Sequence, residues 1–300
     1  MCKVSVLIMV YNHCKFIEDC IESVLNQTFD GELEIIVGDD ASSDTSAEVL
    51  LKKYASNANV SLILRRSNIG ATRNFLDLLN RCSGDYIIHL DGDDYMLPGR
   101  IQKQLSIFES NPSVNVVHGN FHSVDENGKM IKQSVFKSGV KGELRDLFLA
   151  CHSGIQSCTV MVRNPYISNW KDFFPVTSPI QDIIFIYKSL GNGRIAYLDE
   201  AIGAYRTHEN SVTNTANHLK FERWTRRITQ DLAPAELKRS LYTSLSASYV
   251  RSAIHSYRLG KSNISRRCIF MAFYYASKCR PSRHLLITYL HQIIKALNKK

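Results

Sequence analysis

Residues 3–44 read KVSVLIMVYNHCKFIEDCIESVLNQTFDGELEIIVGDDASSD. The first eight are apolar and β-branched, as in a strand buried on both faces. Tyr11-Asn12-His13 ends that run, and Phe16, Ile17, Cys20, Ile21, Val24 and Leu25 then recur at helical spacing. Asp30-Gly31 turns the chain into a second apolar run, Leu33 to Val37. Asp39-Asp40-Ala41-Ser42-Ser43-Asp44 closes it, with Ser42 or Ser43 expected as N-cap of a helix over about 45–55. Working outward, Val60 to Leu64 is a third strand, Asn68-Ile69-Gly70 a turn, and 71–81 a helix. Tyr86 to Leu90 is a fourth strand, ending on Asp91-Gly92-Asp93-Asp94. Strand and helix alternating in this way predict an α/β fold, a Rossmann-like, mostly parallel sheet flanked by helices. Ligands of such sheets bind beyond the carboxyl ends of the strands. Three of those ends carry Tyr11-Asn12, Asp39-Asp40 and Asp91 to Asp93.

Further along, strands are expected at Asn115 to His118, Thr159 to Arg163, Ile195 to Leu198 and Ile202 to Tyr205, and a helix at Gln181 to Leu190. After 216 the pattern is helical. Leu241, Leu245, Tyr249, Ile254 and Tyr257 mark one helix, Ile264, Cys268, Met271 and Tyr275 a second, and Leu286, Leu290, Ile293 and Leu297 a third. The expected organisation is an α/β unit over 1–215, binding its ligand at the strand ends, and a basic helical extension over 216–300.

The 300 residues are 44% apolar and 22% charged, a globular balance that excludes a disordered chain. Mean hydropathy is −0.16, and no apolar run approaches the roughly 20 residues of a spanning helix. VSVLIMV is too short to span and lacks a cleavage site, so no signal peptide is expected. The eight cysteines form no CxxC pair and are expected to be reduced thiols of a cytosolic protein. The net charge of +9 is unevenly spread: 20 basic and 25 acidic residues over 1–216, but 17 and 3 over 217–300. A basic end implies an anionic partner, membrane or nucleic acid.

In Asp91-Gly92-Asp93-Asp94 an apolar strand delivers three carboxylates to one loop. Like charges so close are costly unless a cation neutralises them, and oxygen ligands select Mg2+ or Mn2+. A solvated acidic turn is an equal reading of these residues alone. Asp40 can accept the N3–H of uracil or thymine, or serve as a helix N-terminal charge, the stronger reading of that segment taken alone. His89, His118 and His122 show no metal-ligand pattern and read as structural. Trp170, Phe173 and Phe174 read as packing of a loop.

Taken in order, VSVLIMVYN, SVLNQTF, EIIVGDDASSDTS, NIGATRNF and GDYIIHLDGDDYMLP, then Gln181-Asp182 and Tyr205 to Ser211, closely resemble the family 2 glycosyltransferases of GT-A fold over residues 3–212. The resemblance implies inverting transfer of a sugar from a nucleotide-diphosphate donor to an acceptor hydroxyl. It places Tyr11 and Asn12 beside the uracil or thymine, Asp40 on the base N3–H, and Arg73 beside the nucleotide. Asp91 and Asp93 become the metal-binding DxD pair, Asp93 on the Mn2+ or Mg2+ and Asp91 also toward the ribose or sugar. Asp182 becomes the general base, and Arg206 and His208 lie in a loop near the diphosphate. Gln181, Gly99 and Ala41 depart from the residues common in the family.

Two other classes compete. A phosphatase of the haloacid dehalogenase type would use Asp91 as nucleophile, but wants Thr or Val where Tyr95 stands. A nucleic-acid binder would use the basic end, yet Tyr242, Tyr249, Tyr257, Tyr274 and Tyr275 sit at core spacing and no such motif is visible, so no nucleic-acid partner is expected. The charge of the helical end, with the stripe through Leu286 to Leu297, implies an anionic membrane surface. The acceptor expected there is a polyprenyl-diphosphate-linked glycan of surface polysaccharide assembly. The location expected is cytoplasmic, peripheral at the inner membrane face.

Overall fold

A computed structural model describes residues 1–150, 154–174, 181–209, 211, 227, 230–231, 233–258 and 262–278. The chain forms two compact units, Met1–Leu144 with Ser153–Thr225, and Arg145–His152 with Arg226–Lys300.

In the first unit the alternation read from the sequence is present: β1 (Cys2–Val10), α1 (Ile17–Leu25), β2 (Gly31–Asp39), α2 (Ser46–Tyr54), β3 (Val60–Leu64), α3 (Ala71–Leu79) and β4 (Tyr86–Asp91). Then follow β5 (Tyr95–Met96), α4 (Arg100–Ser110), β6 (Val114–Val124), β7 (Met130–Lys132) and, after α5 (Leu144–Ala150), which from Arg145 on is counted with the second unit, β8 (Met161–Arg163), α6 (Gln181–Leu190) and β9 (Arg194–Arg206). The sheet order is β3-β2-β1-β4-β8-β6-β9-β5, with β7 on β6. β1 to β4 pair in parallel, β8 runs antiparallel to β4 and β6, and β5 runs antiparallel to β9.

Alternation along β4 sorts its side chains into two layers. Ile88 and Leu90 join Val6, Ile8, Ile35 and Val37 under α1, α2 and α4. Ile87, His89 and Asp91 face the other layer, where Phe75 of α3 meets His89 at 5.1 Å and Phe185 of α6 at 5.6 Å. α3 approaches the sheet so closely that a Cβ on Gly38 would lie 2.7 Å from Leu78 and Asn74 atoms. Trp170 and Phe174 are buried against Phe185 and Phe75, as the packing reading expects.

Three local expectations change. Ser42 and Ser43 do not cap α2, whose N-cap is Thr45 without a side-chain bond. The hydroxyl of Ser42 instead serves the strand tips. The strand expected at Thr159 begins at Met161, after a single tight turn over Ser157–Thr159. The two strands expected within 195–205 are one, β9, which follows β6 through register shifts beside Gly119 and Asn120. That glycine is obligatory, since a Cβ there would lie 2.6 Å from Ile202.

The second unit holds α7 (Lys238–Arg258) and α8 (Ser262–Lys278). Their small and aromatic faces pack together: Tyr249 stacks on Tyr275 at 5.6 Å, Ser246 Oγ donates to the Ala272 carbonyl, and Ser265 Oγ to that of Ala253. The stripe through Leu286, Leu290, Ile293 and Leu297 lies outside the described residues. Among the described residues no helix is long and apolar enough to cross a membrane, and six cysteines are free thiols.

Candidate active site

The tips of β2, β1 and β4 are neighbours, so their loops meet at one edge of the sheet. Asn12 and Ala41 take positive φ angles, 59° and 58°, which turn two of these loops sharply. Asn12 N–H donates to Ser42 Oγ, and Asn12 Oδ1 accepts from Ser43 N–H, both at 2.8 Å. Asn12 therefore ties two loops together, while the Tyr11 ring stands half exposed above them. Asp40 is buried and turns both oxygens to the backbone N–H groups of Ile69 and Gly70, at 2.8 and 2.9 Å, fixing the entry to α3. Arg73 is exposed on the first turn of that helix.

The acidic loop after β4 is divided among three tasks. Gly92 fits where a Cβ would lie 2.9 Å from His13 Nδ1 and 3.0 Å from the Met9 carbonyl. Asp91 Oδ1 lies 3.3 Å from His89 Nε2. Burial alone would raise the Asp91 carboxyl, but the adjacent His89 holds it below its ordinary range. Asp93 Oδ2 meets His208 Nε2 at 3.0 Å. Asp94 points inward, accepting Arg206 N–H at 2.9 Å, with its other oxygen buried and unpartnered. Burial first, then Asp93 and Asp91, push Asp94 well above the usual carboxylate range. The sequence grouped three carboxylates as one cluster; Asp94 belongs to the fabric of the loop.

The antiparallel pairing of β5 with β9, Tyr95 opposite Ala204, carries Arg206 and His208 to this loop from more than a hundred residues away. Arg206 is buried, and its guanidinium is spent inside the protein. Nε donates to the Asp93 carbonyl and Nη1 to that of Glu126, each at 2.9 Å, and Nη2 pairs with Asp19 at 3.0 Å. The Phe16 ring, 4.9 Å from the guanidinium carbon, also carries the His208 ring at 4.9 Å. The sequence places Arg206 near a diphosphate; here it braces the loop.

Asp182 stands on the first turn of α6. Burial pushes its carboxyl above the ordinary range, the Asp91 charge adds to this, and His89 offsets part of it. Asp182, Asp91 and His89 thus share one electrostatic environment. The sequence reads His89 as structural, and it is buried, with its ring against Phe75 and its Nε2 near Asp91. The available signal for its nearness to Asp91 was strand alternation, which puts residues two apart on one face. His118 and His122 are structural as expected: His118 Nε2 bonds the Val140 carbonyl at 2.6 Å, and His122 Nδ1 accepts from Ser134.

Comparison with known proteins decides between the competing readings. The family model described as Glycosyl transferase family 2 matches residues 5–169, more than half the chain. The chain belongs to glycosyl transferase family 2. An uncharacterized protein of Mycobacterium tuberculosis is 27% identical over 215 residues, 71% of this chain and 61% of that protein. The chain therefore spans about three-fifths of that relative's length. The poly(ribitol-phosphate) beta-glucosyltransferase of Bacillus spizizenii is 34% identical over 139 residues, 45% of this chain and 21% of that enzyme. Residues 1–349 of S. aureus TarS, crystallised in complex with UDP, superpose with a TM-score of 0.58 at 19% identity, covering 89% of this chain and 90% of that one. That likeness carries the fold, the GT-A arrangement of the family. The family match includes the Asp91 segment, and neither the phosphatase nor the nucleic-acid reading is favoured.

Proposed function

We propose that this family 2 protein moves a sugar, with inversion, from a nucleotide-diphosphate donor to a hydroxyl of a glycan acceptor, UDP or dTDP being the favoured carriers. The observation that carries the reading is the pairing of Asp93 with His208 beside Asp91, at strand tips next to those that bear Tyr11 and Asp40. In this reading the exposed Tyr11 ring lies against the base, and Asp40 accepts its N3–H with a lone pair left free by the Ile69 and Gly70 bonds. Asn12 shapes the pocket rather than contacting the base, and Arg73 reaches the nucleotide from α3. Asp182 takes the proton of the acceptor hydroxyl as that oxygen bonds the anomeric carbon; the bond to the diphosphate oxygen breaks, and the nucleoside diphosphate leaves with the pair. Burial of Asp182 suits the task, because a raised pKa makes it a stronger base.

Among the described residues no three candidate ligands converge. The Asp93–His208 pair fits an ion completed by donor phosphates, the usual arrangement of such cations. Asp91, turned to His89, would lie beside it. The mixed oxygen and nitrogen pair suits Mn2+, and Asp93 alone suits Mg2+. When bound, the cation would offset charge on the leaving diphosphate. Arg206 and Asp94 hold the loop that presents Asp93.

The acceptor we infer is a polyprenyl-diphosphate-linked glycan, with residues 216–300 as a basic extension resting on the anionic inner face of the cell membrane. The poly(ribitol-phosphate) beta-glucosyltransferase activity of the Bacillus spizizenii relative supports a polymeric acceptor. The 17 basic against 3 acidic residues over 217–300 support the surface, as does the outer face of α8, where Arg266, Arg267, Phe270, Tyr274 and Lys278 are exposed. The test is thermal stabilisation by UDP-, dTDP- and GDP-sugars with Mn2+. Stabilisation by a uracil or thymine carrier, dependent on the ion, is expected; none by any carrier would refute the donor site. Flotation on anionic but not neutral vesicles checks the surface.

A further inference from the structure

His89 is a polar residue in a place built for an apolar one. It is 4% exposed in the middle of β4, and Phe75 meets its ring edge to face at 5.1 Å. Phe75 is in turn packed on Phe185 and Phe174, so the imidazole rests against the edge of an aromatic cluster. Its Nε2 faces Asp91 Oδ1 at 3.3 Å without the alignment of a full hydrogen bond, and that buried nitrogen has no other partner among the described residues. Asp91 differs in kind: its side chain is 37% exposed and stands at the end of the strand. The ring is fixed and the carboxylate can turn. An unmet buried donor is costly, and a small rotation of Asp91 meets it.

We propose that His89 is a positioning residue for Asp91: its Nε2–H takes Oδ1 as the nucleotide donor engages the carboxylate, leaving Oδ2 aimed at the ligand. This rests on reading Asp91 as part of the donor site. Without His89, the carboxylate would be free to rotate between orientations, and ordering it would weaken donor binding.

The test is a double-mutant cycle read by calorimetric affinity for UDP, dTDP and GDP with Mn2+, up to millimolar nucleotide. His89→Phe keeps an aromatic ring against Phe75 and removes the N–H; His89→Gln keeps a donor. His89→Phe should weaken nucleotide binding about tenfold, the size of one charge-assisted bond. In an Asp91→Ala background the same change should cost less than about twofold, and His89→Gln should restore most of the loss. A readout without nucleotide guards against misfolding of the Phe variant. The imidazole nitrogen resonances of His89 in the otherwise native chain should move on Asp91→Asn. Equal losses in both backgrounds, or His89 resonances indifferent to Asp91, would overturn the proposal and leave His89 a packing residue. A native chain that binds none of the three nucleotides would overturn the donor-site reading, and this proposal with it.

Discussion

Replacing Arg206 by lysine keeps the charge and removes the fork. In the native protein three nitrogens point in three directions, to the Asp93 carbonyl, the Glu126 carbonyl and Asp19, with the guanidinium between the rings of Phe16 and Tyr95. An ammonium reaches one carbonyl and leaves the other without its donor, which costs roughly 1–3 kcal/mol. The Asp19 pair adds little, about 0–1 kcal/mol, because that carboxylate is 64% exposed. Loss of the ring contacts adds about 0.5–1 kcal/mol. The total is about 1.5–5 kcal/mol, a fall of roughly 3–20 °C in the unfolding midpoint of a domain this size. Because one lost bond ends on Asp93 itself, donor-nucleotide affinity should fall with stability. Thermal unfolding and calorimetric nucleotide binding are measured on Arg206→Lys and, as a control, on Asp19→Ala, which should lose no more than about 1 kcal/mol. A midpoint for Arg206→Lys within about 2 °C of native, with unchanged affinity, would refute the reasoning.

Three further outcomes are expected. Asp182→Asn should slow transfer by roughly 10²–10⁴-fold while nucleotide affinity holds. In the native enzyme the rate should fall with decreasing pH at values above the ordinary carboxylate range, because the buried Asp182 must be ionised to accept a proton; an acid limb unchanged in the variant would remove it as the base. Asp93→Ala should bind nucleotide equally with Mn2+ or with chelator, whereas native affinity should need the ion; full native turnover in excess chelator would sink this. Glu34 gives a stability test far from the chemistry. Burial would raise its carboxyl, but bonds from Ser5, Ser83 and Lys3 hold it below its usual range. Its contribution is therefore present above a pH of about 4.3 and is lost as pH falls through the lowered native value. Glu34→Gln should melt below native at neutral pH, and the two midpoints should converge in acid.

The strand tips that hold Tyr11, Asn12, Asp40, Asp91 and Asp93 were legible because each βαβ turn is a local event. An apolar run, a 3.6-residue stripe and a polar stop lie within about thirty residues, and a parallel sheet must bring such stops to one edge. The same local reading could not foresee that Ser42 serves Asn12 rather than α2, since Asn12 lies in the loop after another strand, thirty residues away. It also merged Asp94 with its neighbours, because spacing along a loop does not say which carboxylate turns inward. What the sequence determined by itself is the sheet, its helices and the acidic edge. The tertiary structure alone decided that β5 pairs with β9, so that Arg206 and His208 arrive at Asp93, and that Phe75 of α3 meets both His89 of β4 and Phe185 of α6. The reason is physical: periodicity reports which side of an element is buried, whereas sheet register and layer packing choose the partner, and those are settled between segments far apart in the chain.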